Sequence, residues 1–153
     1  MKKVVKFGGS SLADAKQFQK VGAIVHADPS RIYVVPSAPG KRFSGDTKVT
    51  DLLYRCYDLA AEGKDFTDPF REIQSRYNEI IQGLGLKYSL EDEFRAIEEN
   101  LKKEPNRDYT ASRGEYLNGR VMAKYLGFTF VDAAEIIFFD QDGQLDEGKT
   151  QKK

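Results

Sequence analysis

What most narrows the fold is a pair of short apolar runs, each broken by glycine or proline and each handed on to a helical pattern. Residues 4–7 form a β-rich run that stops at Gly8-Gly9. A helix follows, with Ser11 and Asp14 in capping-box spacing and Leu12, Ala15, Phe18, Val21 and Val25 at a helical period; Asp28-Pro29 ends it. Residues 32–35 predict a second strand of the buried type, and Pro36, which has no N–H, belongs at its end. Continuously apolar strands separated by a helix point to a parallel sheet, because parallel neighbours need a crossover between them.

The rest of the chain extends this pattern. Val49, Leu52, Leu53, Cys56, Leu59 and Ala60 mark one helix face. Asp68-Pro69 starts the next helix, which carries Phe70, Ile73, Tyr77, Ile80 and Leu84 inward and closes at Gly85. Ser89 and Asp92 open another, with Leu90, Phe94, Ile97 and Leu101 on one side, until Glu104-Pro105-Asn106 breaks it. Ser112 and Glu115 read as a third capping box before Leu117, Val121, Met122 and Tyr125, with Gly127 as the stop. Residues 128–131 and 136–139 predict two more strands, followed by an Asp142-Gly143 turn. There is no internal repeat and no low-complexity stretch. The fold class is α/β, a three-layer sandwich with a mainly parallel sheet.

Charge and cysteine content exclude several functions. Lys plus Arg and Asp plus Glu each number 24, so no net field attracts nucleic acid or anionic lipid. The longest apolar run is far below the roughly 20 residues of a membrane span. The charged start, Lys2-Lys3, is followed by no signal-peptide apolar region. Cys56, the single cysteine, cannot form an internal disulfide, and its helix face makes it a packed thiol. These features together give a cytoplasmic expectation. His26 sits near a helix C-terminus, where a dipole contact explains it, and no ligand cluster suggests a zinc-type metal site.

Three segments carry candidate chemistry. Lys6-Phe7-Gly8-Gly9-Ser10-Ser11 lies at a strand-to-helix junction, where backbone N–H groups and missing Cβ atoms admit an anion and Lys6 adds a charge. It is not the Walker pattern, and a tight turn with a surface lysine is the plainer explanation of the local pattern. Residues 34–41, Val-Val-Pro-Ser-Ala-Pro-Gly-Lys, leave the second strand for a loop. In open α/β sheets ligands sit beyond the carboxyl ends of strands, so both loops are placed to face one crevice. Lys41 and Arg42 either steer anions there or form a solvated basic loop. In Ser112-Arg113-Gly114-Glu115, Glu115 either completes the capping box or pairs with a substrate ammonium.

In this order and spacing, the KFGGSSLAD opening, the VVPSAPGK loop and the SRGEYLNGRVMAKYLG helix resemble the aspartate kinases of the amino-acid kinase family, as does the 130–135 segment Phe-Val-Asp-Ala-Ala-Glu. The resemblance spans nearly the whole chain. It implies that Lys6 contacts the transferring phosphoryl group and that Gly8, Gly9 and Ser10 cradle the phosphates of ATP. It places Ser37 and Thr50 at the aspartate site, with Thr47 as the competitor to Thr50, and sets Glu115 against the substrate. It further implies Mg²⁺ with the nucleotide and phosphorylation of the L-aspartate side chain as the first step towards lysine, threonine and methionine. A half sheet with an unpaired strand edge and an apolar helix face predicts a homo-oligomer or a poorly behaved protein.

By the same resemblance, residues 1–153 correspond to the N-terminal portion of the catalytic domain. The nucleotide-binding half and the regulatory domains are expected to lie outside these residues, which are therefore expected to be inactive alone. Two alternatives stand beside this reading: a kinase acting on another amino acid such as glutamate, and a non-catalytic binding or assembly module.

Overall fold

A computed structural model describes residues 2–132. Strand β1 (Lys3–Phe7) leads through a 3-10 turn (Gly9–Leu12) into helix α1 (Ala15–His26), which returns the chain to strand β2 (Arg31–Pro36). Four helices follow: α2 (Val49–Ala61), α3 (Thr67–Gly83), α4 (Glu91–Lys103) and α5 (Arg107–Leu126). β1 and β2 pair in parallel, with Val4 opposite Tyr33, Val5 opposite Val34, Lys6 opposite Val35 and Phe7 opposite Pro36. The expected α/β character and parallel pairing are both present.

The two faces of this sheet differ. Val5, Phe7 and Val34 pack against the helical core. Val4, Tyr33 and Val35 point the other way and are 68%, 50% and 47% exposed. The buried-strand expectation for residues 32–35 therefore holds for only one face among the described residues. Continuous apolarity marks a strand covered on both sides, yet here helices cover one side.

Helical periodicity fixes the core. Phe70, Ile73, Tyr77 and Ile80 of α3, Phe94, Ile97 and Leu101 of α4, Leu52, Leu53 and Cys56 of α2, and Leu117 and Val121 of α5 are all buried. Burial pushes the Cys56 thiol up to about 12, which fits a packed, unreactive sulfur. Glycine stops also behave as read, since Gly85 and Gly127 take positive φ angles of 68° and 76° after α3 and α5.

The helix starts required three corrections. α1 is capped by Asp14, whose carboxylate accepts from Gln17 N–H at 2.9 Å; Ser11 lies in the preceding 3-10 turn. Ser89 Oγ accepts from Glu91 N–H at 3.2 Å, but Asp92 turns to Arg95 instead of closing a box. The third box does not exist. α5 begins at Arg107, capped by Asn106, whose side chain accepts from Tyr109 N–H at 2.9 Å. Pro105 ends one helix and the next starts at once, so Ser112 falls inside α5, where its hydroxyl donates to Tyr109 O.

Residues 128–131 form no strand. Phe130 instead packs on α5, edge-on to the Tyr116 ring at 5.5 Å between centroids. The expected strand at 136–139, the Asp142-Gly143 turn and the 133–135 part of the resemblance lie outside the described residues.

Candidate functional site

The candidate segments converge beyond the carboxyl ends of β1 and β2. Parallel pairing brings both strands to the same edge, so the turn after β1 and the loop after β2 emerge side by side. Ser37 N–H donates to Phe7 O at 3.0 Å, and Gly40 N–H donates to Gly9 O at 2.8 Å. A Cβ on Gly40 would lie 2.6 Å from the Gly9 carbonyl carbon, and one on Gly9 would lie 3.1 Å from Ala38 O. Backbone-on-backbone packing therefore dictates glycine at Gly40 and leaves only tight room for a Cβ at Gly9.

Gly8 differs. Its φ of −78° suits any residue, and a Cβ there would meet nothing within 4 Å. Packing and conformation leave glycine unexplained at this position, and its missing side chain keeps the outer side of the turn open. Gly9 and Ser10 begin a helical turn, whose first N–H groups have no internal carbonyl to bond. That is the donor geometry an anion uses. Lys6 stands two residues earlier, exposed on the outward face of β1 opposite Val35.

Helices α2 and α5 close the other side. Val49 N–H, at the start of α2, donates to Pro39 O at 3.1 Å, which sets Thr50 in the first turn beside the β2 loop. Gly114 of α5 lies so close that a Cβ would come within 2.8 Å of the Ala38 Cβ. Asn118, fully buried, donates to Ser37 O at 2.7 Å, and the Tyr77 hydroxyl donates to Gly114 O at 2.6 Å. Glu115 follows Gly114 on α5 and is exposed. Ser37, Thr50 and Glu115 thus come from three elements joined at one loop.

Two corrections concern charge. With α5 beginning at Arg107, Glu115 is well inside the helix and has no capping role. Arg42 does not steer anions freely: its guanidinium is 2.7 Å from Asp46 and 3.2 Å from Glu79. The hydrogen bond from Arg42 holds the Asp46 carboxyl well below the usual carboxylate range, against the opposing effect of its burial.

Sequence reasoning missed Arg76 and Asn118. Arg76 Nη1 donates to Thr47 O at 2.9 Å, while Nη2 donates to Ala13 O at 3.2 Å and Gly40 O at 2.5 Å. Its one available signal was a charged residue directly before Tyr77 on the helix's inward side. Thr47 spends its carbonyl on this contact and its side chain is exposed, whereas Thr50 is half-buried.

Comparisons with known proteins bear on the fold and the family. The model of the amino acid kinase family matches residues 1–152. The chain is 38% identical over 137 residues to aspartokinase 3 of Bacillus subtilis, covering 86% of this chain and 30% of that protein. The crystal structure of Clostridium acetobutylicum aspartate kinase superposes with a TM-score of 0.94 at 48% identity, over 99% of this chain and 35% of that one. E. coli aspartokinase III, in complex with aspartate and ADP, shares the fold at a TM-score of 0.76 and 20% identity, over 99% of this chain and 36% of that one. The chain spans about a third of the length of these relatives.

Proposed function

The chain belongs to the amino acid kinase family, and on that premise we propose that it supplies the phosphate-side and aspartate-side loops of an aspartate kinase. In the reaction an oxygen of the L-aspartate side-chain carboxylate attacks the γ-phosphorus of ATP. The bond from that phosphorus to the bridging oxygen breaks, giving 4-phospho-L-aspartate and ADP. Such a transfer asks the protein for positioning and for charge neutralisation rather than for a covalent nucleophile.

The observation that carries the reading is the contact between Gly9 and Gly40, which brings a phosphate-type turn against the loop that bears Ser37. Gly8, Gly9 and Ser10 hold the ATP phosphates through backbone N–H groups, and Lys6 contacts the transferring phosphoryl group. Ser37 and Thr50 position the aspartate, with half-buried Thr50 preferred over Thr47. Glu115, freed from any capping duty, pairs with the substrate ammonium.

Mg²⁺ enters with the nucleotide. It binds chiefly through substrate phosphates and water. Among the described residues no group of three or more His, Cys, Asp or Glu side chains is arranged to hold a metal. Also proposed are a homo-oligomer, a cytoplasmic setting and a place at the first step towards lysine, threonine and methionine. Among the described residues no helix is long and apolar enough to cross a membrane.

Calorimetric titration of aspartate, glutamate and ATP into the purified chain tests the assignment. Weak, saturable aspartate binding that glutamate does not reproduce is expected. Binding of neither aspartate nor ATP identifies a non-catalytic module instead.

A further inference from the structure

Arg76 is the one charged residue buried among the described residues, at 4% exposure. Its guanidinium bonds three carbonyls that belong to three different turns. Ala13 follows the 3-10 turn that carries Gly9 and Ser10. Gly40 belongs to the Ser37 loop and is itself bonded to Gly9. Thr47 lies just before α2 and Thr50. Asp46 approaches Nη1 at 3.6 Å and also pairs with Arg42.

A planar group with five fixed donors can serve three carbonyls at once, whereas a lysine ammonium is a point charge on a flexible stem. A buried charge deprived of partners is strongly unfavourable, so the turns and the guanidinium hold one another in place. Burial and the nearby Arg42 charge pull the Arg76 pKa down, with Asp46 opposing them.

We propose that Arg76 is a positioning residue that fixes the spacing between the phosphate-side turn and the aspartate-side loops. The proposal rests on the kinase reading. It assigns to α3, which carries none of the resemblance motifs, control over how two substrates meet. Displacing either turn by a fraction of an ångström misaligns the attacking carboxylate and the γ-phosphate, so both substrates feel its loss.

The test uses full-length Clostridium acetobutylicum aspartate kinase carrying this segment in place of its own matching residues. Aspartate-dependent ADP release is measured for the parent, Arg76→Lys and Leu101→Ala, the last a core-cavity control in α4. Assays are run below all three melting transitions. Arg76→Lys is expected to lower kcat/KM for both ATP and aspartate tenfold or more, with kcat reduced and both KM values raised. Leu101→Ala is expected to lose thermal stability while its kinetic constants stay within twofold of the parent.

A folded Arg76→Lys within twofold of the parent overturns the proposal. So does a Leu101→Ala loss as large as that of Arg76→Lys, because stability alone would then account for both. If Arg76→Lys does not fold, Asp46→Asn carries the test, since it loosens the same guanidinium without removing it. A threefold or greater rise in both KM values is then expected, and unchanged values overturn the proposal. An active parent separates these outcomes from failure of the kinase reading itself; an inactive, folded parent overturns that reading and the positioning role with it.

Discussion

Lys6 and Glu115 are exposed side chains whose removal disturbs little packing, so their substitution reports on chemistry. Lys6→Ala in a full-length kinase is expected to lower kcat by a factor of about 100 or more, as for losing a charge contact made in the transition state. Its melting temperature should barely move, and unchanged turnover at saturating substrates would make Lys6 a plain surface residue. Glu115→Gln keeps the shape and removes the charge that the proposed reading sets against the substrate ammonium. A sharp rise in the KM for aspartate at constant melting temperature is expected from steady-state kinetics. An unchanged KM would remove Glu115 from the site. Glycine gives the sharpest contrast. Gly40→Ala drives a Cβ into the Gly9 backbone at 2.6 Å and should cost about 1–3 kcal/mol of stability in urea titration. Gly8→Ala meets open space and should change stability by less than about 0.5 kcal/mol, while raising the KM for ATP. The sequence marks all these glycines alike; which of them serves packing and which leaves room depends on what lies across the turn.

At the scale of elements, helical periodicity was readable and helix starts were not. The inward residues of α3 and α4 follow from spacing alone, because a 3.6-residue period leaves one face to bury. Capping residues mislead because Ser, Asp and Asn recur near every helix start, and only the backbone decides which one bonds. Asn106 took the role assigned to Ser112 because the break at Pro105 was short enough for α5 to begin at once. Arg76 stayed hidden for a related reason: its partners are carbonyls of distant turns, which leave no side-chain pattern. The loop it holds also depends on pH. The Asp46 carboxyl is held below its unfolded value, so its contribution to stability is complete above about pH 5 and is lost as pH falls through about 4 and lower. Asp46→Asn should therefore melt below the parent near neutral pH, with the gap constant down to about pH 5 and shrinking below it. A gap that widens as pH falls would contradict the pairing of Asp46 with Arg42.

For the whole molecule, the α/β pattern and the three site segments were legible because each segment lies next to a strand end or a helix turn. Their convergence was legible only through the parallel pairing that places both strand ends at one edge. The sheet's outward face, with Val4, Tyr33 and Val35 exposed, was not. Assayed alone, these 153 residues are expected to show no appreciable aspartate-dependent ADP release. On the proposed reading, Lys6 and the glycine turn supply charge on one side of the γ-phosphate, and a phosphoryl transfer needs it on both. Turnover within about tenfold of a full-length relative, a barrier difference of about 1.4 kcal/mol, would contradict that. The central claim is that this segment positions aspartate for phosphorylation. It is tested most directly by placing the segment in the full-length Clostridium acetobutylicum enzyme and measuring ADP release with aspartate and with glutamate. Turnover with aspartate within about tenfold of the unaltered enzyme, and little with glutamate, is the expected result. A folded chimera that releases ADP with neither amino acid, or as readily with glutamate, would contradict the account.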